Sequence, residues 1–172
     1  SHSRNDWYLE ALDLLVEKGD VNLRAQALIG LGNARYTDSR HHGQHDWYLK
    51  ALRLLGEHGD IELRAQALIG LGNARYRDRE HQRDTDWHLK ALSLLGDHGD
   101  INLRAQALIG LGNARFRDRE HQRDTDWYLK ALSVQGGHGD INLRAQALIG
   151  LGNTRYTDKS HSRNDWYQEA LR

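Results

Sequence analysis

The string LRAQALIGLGN stands at Leu23, Leu63, Leu103 and Leu143 without a single change, and no other feature limits the fold as tightly. Trp7, Trp47, Trp87 and Trp127 are spaced by 40 residues, and Trp166 follows after 39. Between them LKALxLLGxHGDI is nearly constant in the middle of the chain, and SHSRNDWY occurs at both ends. The 172 residues therefore read as a single repeat domain, with repeats at about 1–40, 41–80, 81–120 and 121–159 and a partial fifth at 160–172. A unit of this length cannot bury its own apolar face, so it must stack on its neighbours as a solenoid or a propeller.

Periodicity decides between helix and strand. At about 100° per residue, Leu103, Ala107, Leu111 and Ala114 fall on one arc and Ile101, Ala105, Leu108 and Gly112 on a second. Strict alternation is absent, so the pattern predicts a helix over 101–118 with two buried flanks. Asp100 reads as its N-cap and Gly99 as the C′ residue of the helix before it. A second helix, Asp86 to Leu95, gathers Trp87, Ala91, Leu94 and Leu95 on one face, and Gly96 and Gly99 end it. Each Trp is expected to lie buried between helices. The turn over 117–125 carries no Gly or Pro, which leaves the start of the second helix the least defined boundary. Proline is absent altogether, where ordinary usage is about 5%, and a nearly all-helical chain follows.

Composition removes several functions. Lys and Arg number 24 against 24 Asp and Glu, so the basic excess that marks a nucleic-acid or anionic-membrane partner is missing. Without cysteine there is no disulfide, zinc knuckle or thiol nucleophile. Apolar runs are far shorter than the roughly 20 residues of a membrane span. With no signal peptide and no initiator Met, the chain reads as a fragment or processed form, expected to be cytoplasmic. The 11 histidines need weighing. His58, His98 and His138 share an H-G-D context, which fits a helix C-terminus followed by the next N-cap. His41, His42 and His45 come nearer to a ligand cluster, but a structural zinc site takes four ligands, and a solvated loop fits better. Ser1, His2 and Asp6 supply triad residue types without the strand–turn–helix elbow that would hold them. GLG inside a helix is a packing device rather than a phosphate loop. The expectation is no catalytic residue, no metal, no cofactor and no enzyme activity.

LGNARY at Leu31, followed seventeen positions later by YLKALRLL at Tyr48 and then a GD, resembles the tetratricopeptide repeat in its 40-residue form. Leu71, Gly72 and Ala91, and their counterparts in the other repeats, match its small-residue signature. The resemblance implies an all-α, right-handed α-solenoid of stacked helix-turn-helix repeats, about eight full helices and a stub. The chain departs from the pattern in three places. The aromatic near the end of the first helix sits one position late, at Tyr36, Tyr76, Phe116 and Tyr156, behind Arg35, Arg75, Arg115 and Arg155. Gln44, Asp84 and Asp124 replace a small residue early in the second helix. Arg79 and Arg119 stand where the turn usually has Gly.

The resemblance further implies a concave stripe that takes an extended peptide. Its members are Gln26, Ile29, Asn33 and Tyr36; Gln66, Ile69, Asn73 and Tyr76; Gln106, Ile109, Asn113 and Phe116; and Gln146, Ile149, Asn153 and Tyr156. Each Asn can hold a peptide amide and carbonyl at once. Helices of one layer stand about 8–10 Å apart and an extended chain rises about 3.3 Å per residue, so each Asn would meet every third residue. The other reading is that these Asn hydrogen-bond across the helix layer. Ile and Gly occupy the places of a carboxylate clamp, so recognition of a free C-terminus is not expected. Arg64 with Arg75, and Arg104 with Arg115, form either an anion strip or pairs with Asp and Glu of the adjoining helix, and overall neutrality favours the pairs. The expected partner is a protein or peptide. The alternative is a structural or engineered array without a dedicated ligand. It would associate head to tail through ends where Trp7, Ala11 and Leu14, and Trp166, Ala170 and Leu171, carry the interior stripe. The uniform stripe counts against a highly specific ligand. Gln135, standing where Leu15, Leu55 and Leu95 stand elsewhere, marks the fourth repeat as the weakest.

Overall fold

A computed structural model describes residues 3–15, 19–38, 43–121, 123–158 and 161–172. Among them every regular element is an α-helix: α1 (Arg4–Leu14), α2 (Val21–Asn33), α3 (Gln44–Leu55), α4 (Ile61–Asn73), α5 (Asp84–Leu95), α6 (Ile101–Asn113), α7 (Asp124–Gln135), α8 (Ile141–Asn153) and α9 (Arg163–Leu171). The chain forms two compact units, Ser1–Leu94 and Leu95–Arg172. In the first, α1 packs on α2, α2 on α3 and α3 on α4, while α2 also meets α4. In the second, α6 packs on α7, α7 on α8 and α8 on α9, while α6 also meets α8. Stacked helix pairs of this kind are the architecture of an all-α helical-repeat solenoid.

The first helix of every repeat starts as its sequence predicts. Asp20, Asp60, Asp100 and Asp140 accept the backbone N–H of Leu23, Leu63, Leu103 and Leu143 at 3.0, 2.9, 2.8 and 3.1 Å. It ends earlier than predicted, at Asn113 rather than Asp118 in the third repeat. The reason is the arginine that follows. Arg35, Arg75, Arg115 and Arg155 take φ of 54, 56, 56 and 61°. The Tyr36 N–H then reaches the Leu31 carbonyl at 3.1 Å and the Arg35 N–H the Gly32 carbonyl at 3.0 Å, a Schellman stop usually made by Gly. Tyr36, Tyr76, Phe116 and Tyr156 therefore lie beyond the helix, a correction to the helical stripe.

The second helix begins earlier than expected, at Asp84 rather than Asp86. Asp46, Asp86 and Asp126 sit in its first turn and accept the backbone N–H of Gly43, Arg83 and Arg123 at 2.8, 3.0 and 3.0 Å. It is Gly96 (φ 63°), not Gly99, that adopts the left-handed conformation ending it. Gly99 serves close approach instead, since a Cβ there would lie 2.6 Å from the Leu95 carbonyl oxygen.

Both apolar arcs of the first helix reach the core, Leu103, Ala107 and Leu111 on one and Ala105, Leu108 and Gly112 on the other, while Ile101 is half-buried and Ala114 exposed. Most glycines of GLG seat tyrosines. The Tyr48 ring lies between Gly32 and Gly70, where a Cβ would come within 2.6 and 2.5 Å of it. Tyr128 lies likewise between Gly112 and Gly150. Trp47, Trp87, Trp127 and Trp166 are buried at 5, 3, 2 and 4% exposure, whereas Trp7 is 59% exposed. Each buried indole N–H donates to the carbonyl of the aromatic just past the preceding helix, as Trp87 does to Tyr76 at 2.8 Å. That bond fastens each second helix to the first helix that precedes it in the chain.

Candidate functional site

The stripe inferred from the sequence divides into surface and core. Asn33, Asn73, Asn113 and Asn153 are exposed, as are Gln26 and Gln146, with Gln66 and Gln106 half-buried. Ile29, Ile69 and Ile109 are 3, 2 and 3% exposed and pack in the core, out of reach of a ligand, whereas Ile149 is 43% exposed. Tyr36, Tyr76, Phe116 and Tyr156 stand 5.8–6.0 Å from Trp47, Trp87, Trp127 and Trp166, ring to ring. What remains accessible is a series of carboxamides. In the first compact unit Gln26 and Gln66 line one open cleft of about 350 Å³ together with Asn22, Asp60, Glu62 and Leu63.

The asparagines are not equivalent. Tyr48 O–H donates to Asn33 Oδ1 at 2.7 Å, Tyr128 to Asn113 at 2.6 Å and Tyr167 to Asn153 at 2.8 Å. These three make the bond across the helix layer. Asn73 of the second repeat lacks it, because the third repeat has His88 at the position of Tyr48 and Tyr128. His88 is 2% exposed. Its Nε2 lies where it would stand 2.6 Å from a Cβ on Gly72, and its Nδ1 has no hydrogen-bond partner. Burial pulls its pKa down from 6.5 to about 4, against the opposing pull of Asp84, so the ring is neutral at pH 7. Tyr-to-His in an otherwise periodic YLKAL motif was the signal in the sequence, and periodicity alone gave it no weight.

A second arrangement went unread. Asp78 and His81, Asp118 and His121, and Asp158 and His161 repeat a D-x-x-H spacing. His81 Nδ1 lies 3.0 Å from Asp78 Oδ1, the His81 backbone N–H donates to the same oxygen at 2.6 Å, and the imidazole stacks on Trp87 at 3.7 Å. His121 repeats this on Asp118 and Trp127 at 3.0 and 3.7 Å. His161 adds a contact from Nε2 to Glu169 Oε2 at 2.8 Å. Partial desolvation alone would lower the His161 pKa, but the bonds to Glu169 and Asp158 outweigh it and raise it. Chemically this is a clamp. The carboxylate orients the imidazole, and the imidazole covers the indole, holding the intra-repeat turn on the core.

The remaining candidates find ordinary places. His58, His98 and His138 are exposed in turns. Ser1, His2, His41 and His42 lie outside the described residues, while His45 stacks on Tyr76 at 4.7 Å. Among the described residues no group of three or more His, Asp or Glu is placed to hold a metal ion. Arg64, Arg104 and Arg144 donate to the carbonyls of Glu57, Asp97 and Gly136 at 2.7, 2.9 and 2.9 Å, closing the turn before their own helix. Arg75 and Arg115 stay exposed, the latter with Nε 3.9 Å from Asp124. No described helix is long and apolar enough to cross a membrane. Compared with protein-family models, curated proteins and solved structures, the chain matches none of them.

Proposed function

We propose that this chain is a non-enzymatic interaction scaffold of tetratricopeptide type, binding an extended peptide or partner segment over the face where its first helices carry Gln and Asn. The observation that supports this most is the row of accessible carboxamides in the first compact unit. Gln26 and Asn33 on α2, and Gln66 and Asn73 on α4, are each two turns apart on one helix face, and a cleft of about 350 Å³ opens between the two glutamines. A carboxamide carries both a donor and an acceptor and so pairs with a main-chain peptide group whatever the side chain. Such a surface suits an extended ligand bound through its backbone. A cytoplasmic location goes with this reading. Screening the chain against a random-sequence peptide array tests it. Binding that is lost in the double variant Gln66→Ala, Asn73→Ala with helical content intact is the expected result, and unchanged binding moves the site elsewhere.

A second reading is self-association of this 172-residue chain, favoured by the exposure of Trp7 (59%), Leu14 (82%) and Leu171 (87%). Exposed apolar groups of that size commonly take a partner. Light scattering over a concentration series tests it. Mass that rises with concentration, and falls back to the monomer in Leu14→Glu, is the expected result. A constant monomer mass removes this reading.

A further inference from the structure

Building on the peptide-binding reading, we propose that Asn73 sets the register of the bound peptide, because it alone among the four repeated asparagines has both edges of its carboxamide free. Clamping a main-chain peptide group takes one acceptor and one donor side by side. At Asn33, Asn113 and Asn153 one of the two lone pairs of Oδ1 already accepts a tyrosine O–H at 2.6–2.8 Å, which fixes the carboxamide's orientation and leaves a single lone pair for a peptide N–H. No tyrosine faces Asn73. His88 stands there instead, its imidazole turned against Gly72, and among the described residues none is hydrogen-bonded to the exposed Asn73 side chain.

Two further points favour a role in binding over a role in folding. His88 buries an imidazole nitrogen that has no partner, which is unfavourable for the folded state. Packing therefore gives no reason to prefer His over the Tyr used elsewhere. A peptide, moreover, is not periodic, whereas Gln and Asn recur identically along the chain. A uniform face cannot tell one ligand register from the next one along. One repeat that grips harder than the others can, and His88 creates it by omitting a hydroxyl.

The test turns on that hydroxyl. The tightest peptide from a random-sequence array is titrated against the wild type, His88→Phe, His88→Tyr, Asn73→Ala and Asn113→Ala. Phe at 88 fills the space and leaves Asn73 free, so affinity should stay near that of the wild type. Tyr at 88 adds only the O–H that would occupy Asn73 Oδ1, and affinity should fall about tenfold, the equivalent of one modest hydrogen bond. Asn73→Ala should lose more affinity than Asn113→Ala. Denaturant midpoints accompany each titration, and His88→Tyr should be at least as stable as His88→Phe, which separates lost binding from lost folding. Equal affinity of the Phe and Tyr variants, or equal losses at Asn73 and Asn113, overturns the register role and leaves the peptide-binding reading standing. An array with no peptide bound overturns that reading and the register role with it.

Discussion

Arginine is a poor residue for left-handed backbone, yet Arg35, Arg75, Arg115 and Arg155 all hold it, at φ of 54 to 61°. A non-glycine residue there costs about 1–2 kcal/mol, part of which Gly would return through its freer unfolded chain. Arg115→Gly should therefore raise stability by about 1 kcal/mol, read as a higher denaturant midpoint, and a lower midpoint would show that the guanidinium does more than sit in solvent. His88 gives a pH effect of definite sign. Its folded-state pKa, about 4, lies below the 6.5 of the unfolded chain. The unfolded state thus binds more protons between those values, so stability is full above pH 6.5, falls toward pH 4 and then levels off. At about 1.4 kcal/mol per pH unit the loss is about 3 kcal/mol. Unfolding of the wild type and His88→Phe from pH 4 to 8 checks it, the difference isolating His88 from the carboxylates, and parallel curves would refute it.

At the scale of elements, the second helix is held by a tryptophan bonded just past the first helix and by a tyrosine, which the first helix accommodates by having no side chain where the ring lands. A Cβ on Gly70 would meet the Tyr48 ring at 2.5 Å, while one on Gly137 would meet nothing within 4 Å. Gly70→Ala should cost about 1–3 kcal/mol through overpacking. Gly137→Ala, in open space and without a positive φ, should change stability by less than about 0.5 kcal/mol. Similar losses in the two variants would contradict the seating of the tyrosine. The tryptophans offer an internal comparison. Trp127 is 2% exposed and its N–H is bonded to the Phe116 carbonyl, whereas Trp7 is 59% exposed. Trp127→Ala should cost about 3–5 kcal/mol and Trp7→Ala clearly less, measured by urea unfolding.

Over the whole molecule, an array is about as stable as its weakest junction allows, because each repeat touches only its neighbours. Within the second compact unit Gln135 is that weak point. It is 2% exposed, its Nε2 donates to the Asp140 carbonyl at 3.2 Å, and its Oε1 is buried without a partner. Leu55 and Leu95 fill the same position with hydrocarbon. Gln135→Leu should stabilise by about 1 kcal/mol, since an unmet buried carbonyl costs more than the single long bond returns. Hydrogen exchange should show α7 and α8 opening more readily in the wild type than in the variant, and identical protection would contradict this.

The sequence by itself determined the helices, their pairing and the starts of the first helices, though not those of the second. Period, N-cap aspartates and small residues act over a few residues or repeat along the chain, so they can be read without coordinates. Helix ends were misread because a Schellman stop built on arginine depends on backbone angles that no residue type announces. The fate of the isoleucines was likewise decided in three dimensions, where Ile29, Ile69 and Ile109 are buried and the identical Ile149 is 43% exposed. The same holds for the asparagines. Four identical letters become three bonded side chains and one free one, because the partner that distinguishes them stands on another helix, fifteen residues away, where Tyr48 and Tyr128 give way to His88.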